Sequence, residues 1–300
     1  MPELPDINLY VQRLSERLVG EPLTEFRISS VFVLRSAQVP SQSVIGKKVV
    51  AVSRLGKRVC FKFEDDYVVV VHLMIAGRFS WKEAPFESSR PSKLELCRWI
   101  FPSGMLVLTE ASSKKRAGIW VLRGERALAD FARSGLDVFT ASFEAFKERL
   151  VETNQTLKRS LTDPNSFDGI GNAFSDEILF RAKLSPLKLS RSLSDAEMAK
   201  LLEACREVLS CWCEKLLRDI PAFPKSSQVT AFRKEFAVHG KFGQPCLECG
   251  YPIQRIAGSE NEMNYCAKCQ NAGKILADRS LSRLLKDDWP KTIDELGWDS

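Results

Sequence analysis

No stretch of the 300-residue sequence is long and apolar enough to cross a bilayer. The longest apolar runs, such as Val68–Val71 with its neighbours, fall far short of the ~20 residues that a spanning helix needs. Glu3 and Asp6 stand where a secretory leader would be basic and then apolar, so no signal peptide is visible. Internal repeats and low-complexity tracts are missing as well, which argues against a solenoid or a disordered array. Neither sign of charge is in large excess: a net charge of +6 and a pI near 8.8 permit a polyanionic partner without requiring one. An even cysteine count is also lacking, since nine is odd for a disulfide framework. Cys60, Cys97, Cys205, Cys211 and Cys213 lie in apolar or helical contexts that suit reduced thiols. An intracellular, reducing compartment is expected, a bacterial cytoplasm or a nucleus.

What is present has the texture of a globular protein, 44% hydrophobic and 27% charged, and long enough for two domains. Leucines at helical spacing predict an amphipathic first helix over Leu9–Leu18. From Leu23 to about Leu122 the runs are short and β-rich: "KKVVAVSRLG", "RVCFKF", "YVVVVHLMIAGRFSW", "LELCRWIF" and "MLVLTEA". Gly46, Gly56, Gly77 and Gly104 punctuate them, which predicts an antiparallel sandwich or barrel. Near residue 140 the pattern turns helical, with several segments opened by Ser, Thr or Asn caps. "PAFPKSSQ" reads as a loop, Ala237–Gln270 as a cysteine-bearing ribbon and "DRSLSRLLKDDW" as a last amphipathic helix.

Chemistry concentrates in four places. The chain begins "MPELPDI". In the plainest reading Pro2 only stiffens the approach to the first helix. After methionine removal, however, Pro2 is a free secondary amine, able to attack an aldehydic carbon and form an iminium, with the Glu3 carboxylate beside it to move protons. Cys246-x-x-Cys249 and Cys266-x-x-Cys269, sixteen residues apart, have the spacing of two knuckles that place four thiolates on one zinc. Four thiolates leave no open position, so that zinc is structural. In "DPNSFDGIGNAFSDEILFRAKLSP", Gly169 and Gly171 bracket a tight turn and Asn172 sits where it would cap the next helix, a favourable place for a phosphate. "RLGKRV" puts Lys57 on a hairpin tip. A lysine there is ordinarily a solvated charge, and His72 in "VHLMIAG" is ordinarily a structural histidine.

Taken in order, "PELPDI", "GK" on a hairpin, "HLM-x-x-G", "DGIGN-x-F-x-x-EILF-x-A-x-x-P" and a four-cysteine ribbon ending "CQ" resemble the formamidopyrimidine-DNA glycosylase/endonuclease VIII family of base-excision repair enzymes, from Pro2 to about Gln270. The resemblance implies an α+β protein: an N-terminal antiparallel β-sandwich with a leading helix (1–135), a helix–two-turns–helix domain (140–232), a zinc finger (236–270) and a C-terminal extension (271–300). DNA would lie in the cleft between the domains. It implies that Pro2 attacks C1′ and forms the Schiff base, that Glu3 is the acid/base, that Lys57 lies beside the lesion phosphate, and that Gly171 and Asn172 grip that phosphate. One structural zinc, damaged or abasic DNA as partner, no membrane and a monomer complete the expectation.

Several positions depart from the family pattern. Its usual sixth-position Glu is Asp6, and its zinc-hairpin arginine is Asn261, a neutral amide in place of a phosphate clamp. The Met, Arg and Phe wedges that fill the void of a flipped base correspond to Ile75, Lys115 (next to Arg116) and Ala117. The loop capping oxidised guanine is reduced or absent. The function expected is a bifunctional DNA glycosylase/AP lyase. The alternatives are a non-catalytic nucleic-acid-binding protein on the same scaffold and an amino-terminal-proline tautomerase, though tautomerase chains are much shorter and carry no zinc ribbon.

Overall fold

A helix, α1 (Leu4–Leu18), opens the chain, followed by eight strands: β1 (Glu25–Ile28), β2 (Val49–Leu55), β3 (Arg58–Phe63), β4 (Tyr67–His72), β5 (Gly77–Glu83), β6 (Glu95–Phe101), β7 (Gly104–Glu110) and β8 (Gly118–Arg123). This computed structural model describes residues 1–36, 38–86, 90–131, 134–258, 262–278, 290–292 and 295. The strands form two antiparallel four-stranded sheets, ordered β2-β3-β4-β8 and β1-β6-β7-β5, which bears out the expected sandwich. Alternation explains which residues meet inside. Val59 and Phe61 of β3, Val69 and Val71 of β4 and Ile119 and Val121 of β8 pack with Phe26, Phe79, Trp99, Leu106 and Leu108 of the second sheet. All four valines of "YVVVVH" are buried because the outer face of β4 is covered too: Val68 and Val70 pack with Cys60, Leu128 and Phe131, the last two from α2 (Glu125–Phe131). Sheets covered on both faces carry such unbroken apolar runs.

The first helix starts at Leu4 rather than Leu9. Pro5 is tolerated in the first turn, where no N–H is needed, and Asp6 accepts the Glu3 N–H at 3.0 Å. Ile7, Tyr10, Leu14 and Leu18 then press the helix into the sandwich core.

The remaining helices are α3 (Phe143–Glu152), α4 (Leu157–Thr162), α5 (Asn172–Ala182), α6 (Asp195–Asp219) and α7 (Ala267–Asn271), with a hairpin of β9 (Gln254–Ala257) and β10 (Glu262–Tyr265) before α7. Two of the expected hydroxyl caps are present. Ser142 Oγ accepts from Ala145 N at 3.1 Å, and Ser194 and Glu197 form a reciprocal capping box at the start of α6. The chain divides into one unit of residues 1–133 with 212–231 and another of 134–211 with 232–300. The division cuts α6 between Cys211 and Trp212, away from the expected boundary near 232. Arg13 shows why: its guanidinium donates to the carbonyls of Leu217 and Ile220, tying the end of α6 to α1. The expected tail helix falls almost wholly outside the described residues, as does Asn261. Among the described residues no helix is long and apolar enough to cross a membrane.

Candidate functional site

The amino terminus lies in a buried, charged corner of the first unit. Pro2 is buried, and so are Glu3 and Asp6, at 3% and 1% exposure. Burial pulls the Met1 amine below its ordinary value. The Glu3 carboxylate opposes that shift, the Arg78 guanidinium adds to it, and Asp6 and Lys57 act more weakly. The arrangement therefore brings together an amine and the sequence-predicted Glu3 and Lys57. Lys57 stands in the two-residue turn between β2 and β3, where Leu55 pairs with Arg58, as its hairpin motif predicts. A second cation, Arg78, went unnoticed in the sequence because one arginine in a strand carries no motif. Its Nη1 donates to the carbonyls of Ile75 and Gly77, at 3.0 and 2.7 Å.

Those bonds hold the β4–β5 turn, whose tip presents Ile75 at 59% exposure. Gly77 is required here for space, since a Cβ would meet the Leu73 carbonyl oxygen at 2.2 Å. Across a cleft of about 200 Å³ from Ile75 lie Glu110, Ser112, Lys114 and Arg116. The other two wedge positions are placed differently. Lys115 turns its ammonium back to the Glu110 carbonyl and lines a separate cavity of about 690 Å³ with Arg27, Ser29 and Lys93. Ala117 is 1% exposed and belongs to the sandwich core, and its N–H donates to Glu110 Oε2 at 3.0 Å. It does not protrude at all. Glu110, itself 1% exposed, organises this loop through both its backbone and its side chain, and the sequence held no sign of that.

In the second unit Gly171, not Asn172, is the N-cap of α5. Asn172 is the first helical residue, and its Nδ2 donates to the Glu262 carbonyl of β10 at 2.9 Å, joining the helix start to the hairpin. Two adjacent carboxylates of α5 extend this anchoring. Asp176 accepts from Lys158 Nζ at 2.5 Å and from Asn264 N at 3.1 Å, and lies 2.7 Å from His239 Nδ1. Lys158 also donates to the Asn172 carbonyl at 2.6 Å. Glu177 accepts the N–H groups of Ala237, Val238 and His239 at 2.8–2.9 Å. Burial nonetheless pushes its carboxyl up, against those three donors. The "DE" in "SDEILF" was the only mark of this network in the sequence.

Cys246, Cys249, Cys266 and Cys269 converge, with all four sulfurs within 4.8 Å of one another. Cys246 and Cys269 are 3.9 Å apart, and Cys249 and Cys266 3.4 Å. A tetrahedron with metal–sulfur bonds of about 2.3 Å has edges of about 3.8 Å, so the spacing fits one ion. Burial pushes the Cys269 thiol up to about 12; a cation among the sulfurs would offset that cost. The four cysteines can hold a metal ion.

Models of the formamidopyrimidine-DNA glycosylase N-terminal domain and H2TH domain match residues 1–110 and 135–215. A formamidopyrimidine-DNA glycosylase of Desulfitobacterium hafniense is 28% identical over 280 residues, covering 90% of this chain and all of that protein. The Thermus thermophilus enzyme of the same name is 28% identical over 279 residues, covering 91% of this chain and all of that one. The crystal structure of the MutM (Fpg) protein from Thermus thermophilus has a TM-score of 0.75 at 26% identity, over 90% of this chain and 98% of the other. Lactococcus lactis Fpg in complex with DNA containing N7-benzyl-Fapy-dG shares the fold, with a TM-score of 0.80 at 23% identity over 90% of this chain and all of the other. With both domain models matched in order and the fold shared along nine-tenths of its length, this chain belongs to the formamidopyrimidine-DNA glycosylase/endonuclease VIII family.

Proposed function

We propose that this protein is a DNA base-excision repair glycosylase with AP lyase activity, and that the mature Pro2 amine is its nucleophile. The observation that carries the reading is the buried amino terminus beside Glu3, Asp6, Lys57 and Arg78. Only the neutral form of such an amine is nucleophilic. The damaged base is first turned out of the stack. The Pro2 nitrogen then forms a bond to C1′ as the glycosidic bond breaks, and the base departs with a proton. Glu3 moves protons at the sugar as the ring opens to the iminium. Loss of a C2′ proton then breaks the C3′–O bond, and the 3′ phosphate leaves with its electron pair. In the first unit Lys57 pairs with the lesion phosphate; in the second, the start of α5 contacts DNA backbone. The four cysteines hold one structural zinc that keeps the hairpin folded. The protein acts as a monomer in the compartment that holds the DNA.

The wedge positions bear on substrate. Ile75 is exposed, Ala117 is buried and Lys115 is turned away, so support for an orphaned partner base falls to Ile75 and Arg116. Flipping from perfect duplex costs a few kcal/mol of stacking and pairing. Sites already unpaired avoid that cost. Abasic sites, single strands, bubbles and bulky or ring-opened lesions are therefore preferred over oxidised guanine paired with cytosine.

Borohydride trapping on abasic DNA tests the nucleophile. The mature protein is expected to become covalently fixed, while a Met1-retaining form and Pro2→Gly are not. Glu3→Gln is expected to bind DNA normally and excise slowly. Trapping should rise with pH, because only the neutral amine reacts. Undiminished trapping in a verified Met1-retaining protein would overturn the assignment.

A further inference from the structure

The stretch "FRKEFAVHGKF" begins and ends on an exposed phenylalanine, Phe232 at 66% and Phe242 at 53%. Large apolar side chains this open, so close together in the chain, call for a cause. Both rings are supported. Phe232 stacks on His239 with ring centroids 5.7 Å apart and planes 25° from parallel. His239 is itself 3% exposed and pinned by Asp176 through its ring and by Glu177 through its backbone. Gly240 completes the seat: its φ of +71° suits glycine, and a Cβ there would come 3.1 Å from Phe232 Cδ1. Phe242 lies against the Arg255 guanidinium, 4.6 Å from its ring centre. Arg233 and Lys234 follow Phe232 directly, and Lys241 precedes Phe242. Lys241 Nζ donates to the Lys234 carbonyl at 2.8 Å, drawing the two cationic ends together. Glu235 is the only acidic residue of the stretch.

Held aromatic faces among cations are the elements of single-strand recognition, in which bases stack on rings and phosphates meet Lys and Arg. We propose that Phe232, with Phe242 beside it, forms a stacking platform on the second unit for unpaired bases of DNA, with Arg233, Lys234 and Lys241 receiving the phosphates. The platform rests on the DNA-binding reading above and adds a second contact to it. Bases inside a duplex are stacked on both faces and have none to offer, so the platform selects DNA that is locally single-stranded.

Full-length protein titrated with an oligothymidylate and with a blunt duplex of equal length tests this. Phe232→Ala is expected to bind the oligothymidylate about tenfold more weakly, within the usual range for loss of one stacked base, and the duplex within about twofold of wild type. Phe232→Trp is expected to bind the oligothymidylate at least as tightly as wild type. Its added emission should be quenched by that oligomer and not by the duplex. If Phe232→Ala fails to fold, the Phe232→Trp signal decides alone. Equal single-strand affinity for wild type and Phe232→Ala, or unquenched Trp emission at saturation, would overturn the platform while leaving the DNA-binding reading intact. Wild type binding neither oligonucleotide would overturn both.

Discussion

The two units hold their functional groups by opposite means. In the first, the amine, Glu3 and Asp6 ride on the start of a helix whose Ile7, Tyr10 and Leu14 sit in the sandwich core. Apolar packing supplies the position, and the Asp6–Glu3 hydrogen bond trims it. In the second, Asp176 and Glu177 gather three polar groups each, and four sulfurs close the ribbon. Apolar burial is non-directional and spread over many side chains. Hydrogen bonds and metal ligation are directional and vested in few atoms, so losing one partner strands the others. The first unit should therefore yield gradually to substitution and the second abruptly.

Metal removal should expose that contrast most strongly. Chelation or Cys266→Ser is expected to unfold the ribbon, since metal binding of this kind supplies about 10–16 kcal/mol of folding free energy in isolated fingers. Hydrogen exchange should rise across 244–270 while β2–β4 keep their protection. Full protection of the ribbon after verified metal loss would break the comparison. Asp176→Asn comes next, because it leaves the Lys158 ammonium buried without its carboxylate. A loss of about 3–5 kcal/mol is expected in denaturant unfolding. A cost under about 1 kcal/mol would mean that the network is ornamental.

In the first unit, Ala117→Phe restores the family's wedge residue at a position that is buried here. Overpacking should cost about 1–3 kcal/mol of stability and bring no gain in duplex excision. Faster excision from duplex with unchanged stability would show that Ala117 reaches the DNA after all. The smallest effect sharpens the comparison at the phosphate. Lys57→Ala should reduce the salt slope of DNA binding by roughly one unit, while Asn172→Ala, which cuts the bond from the start of α5 to β10, should weaken binding with little change in slope, because no cation is lost. Equal slope losses would contradict the separate roles.

Much of this site was legible in the sequence because its chemistry needs particular residue types at short spacing. The four cysteines of the two Cys-x-x-Cys knuckles converge, Lys57 lies in a hairpin turn beside its glycine, and Pro2 and Glu3 are buried together at the chain start. Residues whose role depends on long-range partners were misplaced or missed. Ala117 looked like a truncated wedge, because nothing local reveals that its backbone is drawn into the core by Glu110. Asn172 looked like the helix cap, one residue late, because glycine and asparagine are both good cap formers and only the backbone angles choose between them. Arg78 and His239 carry no pattern around them at all.

By itself, then, the sequence determined the family, the sandwich strands and the four cysteines that come together, since motif order, period-2 alternation, turn residues and cysteine spacing are local properties of the chain. Only the tertiary structure decided which carboxylates are anchors rather than acids, which of the three wedge positions reach the surface, and where α6 passes from one unit to the other. Burial and hydrogen bonding depend on what arrives from elsewhere in the chain: Asp176 becomes an anchor because Lys158, His239 and Asn264 reach it from three separate segments.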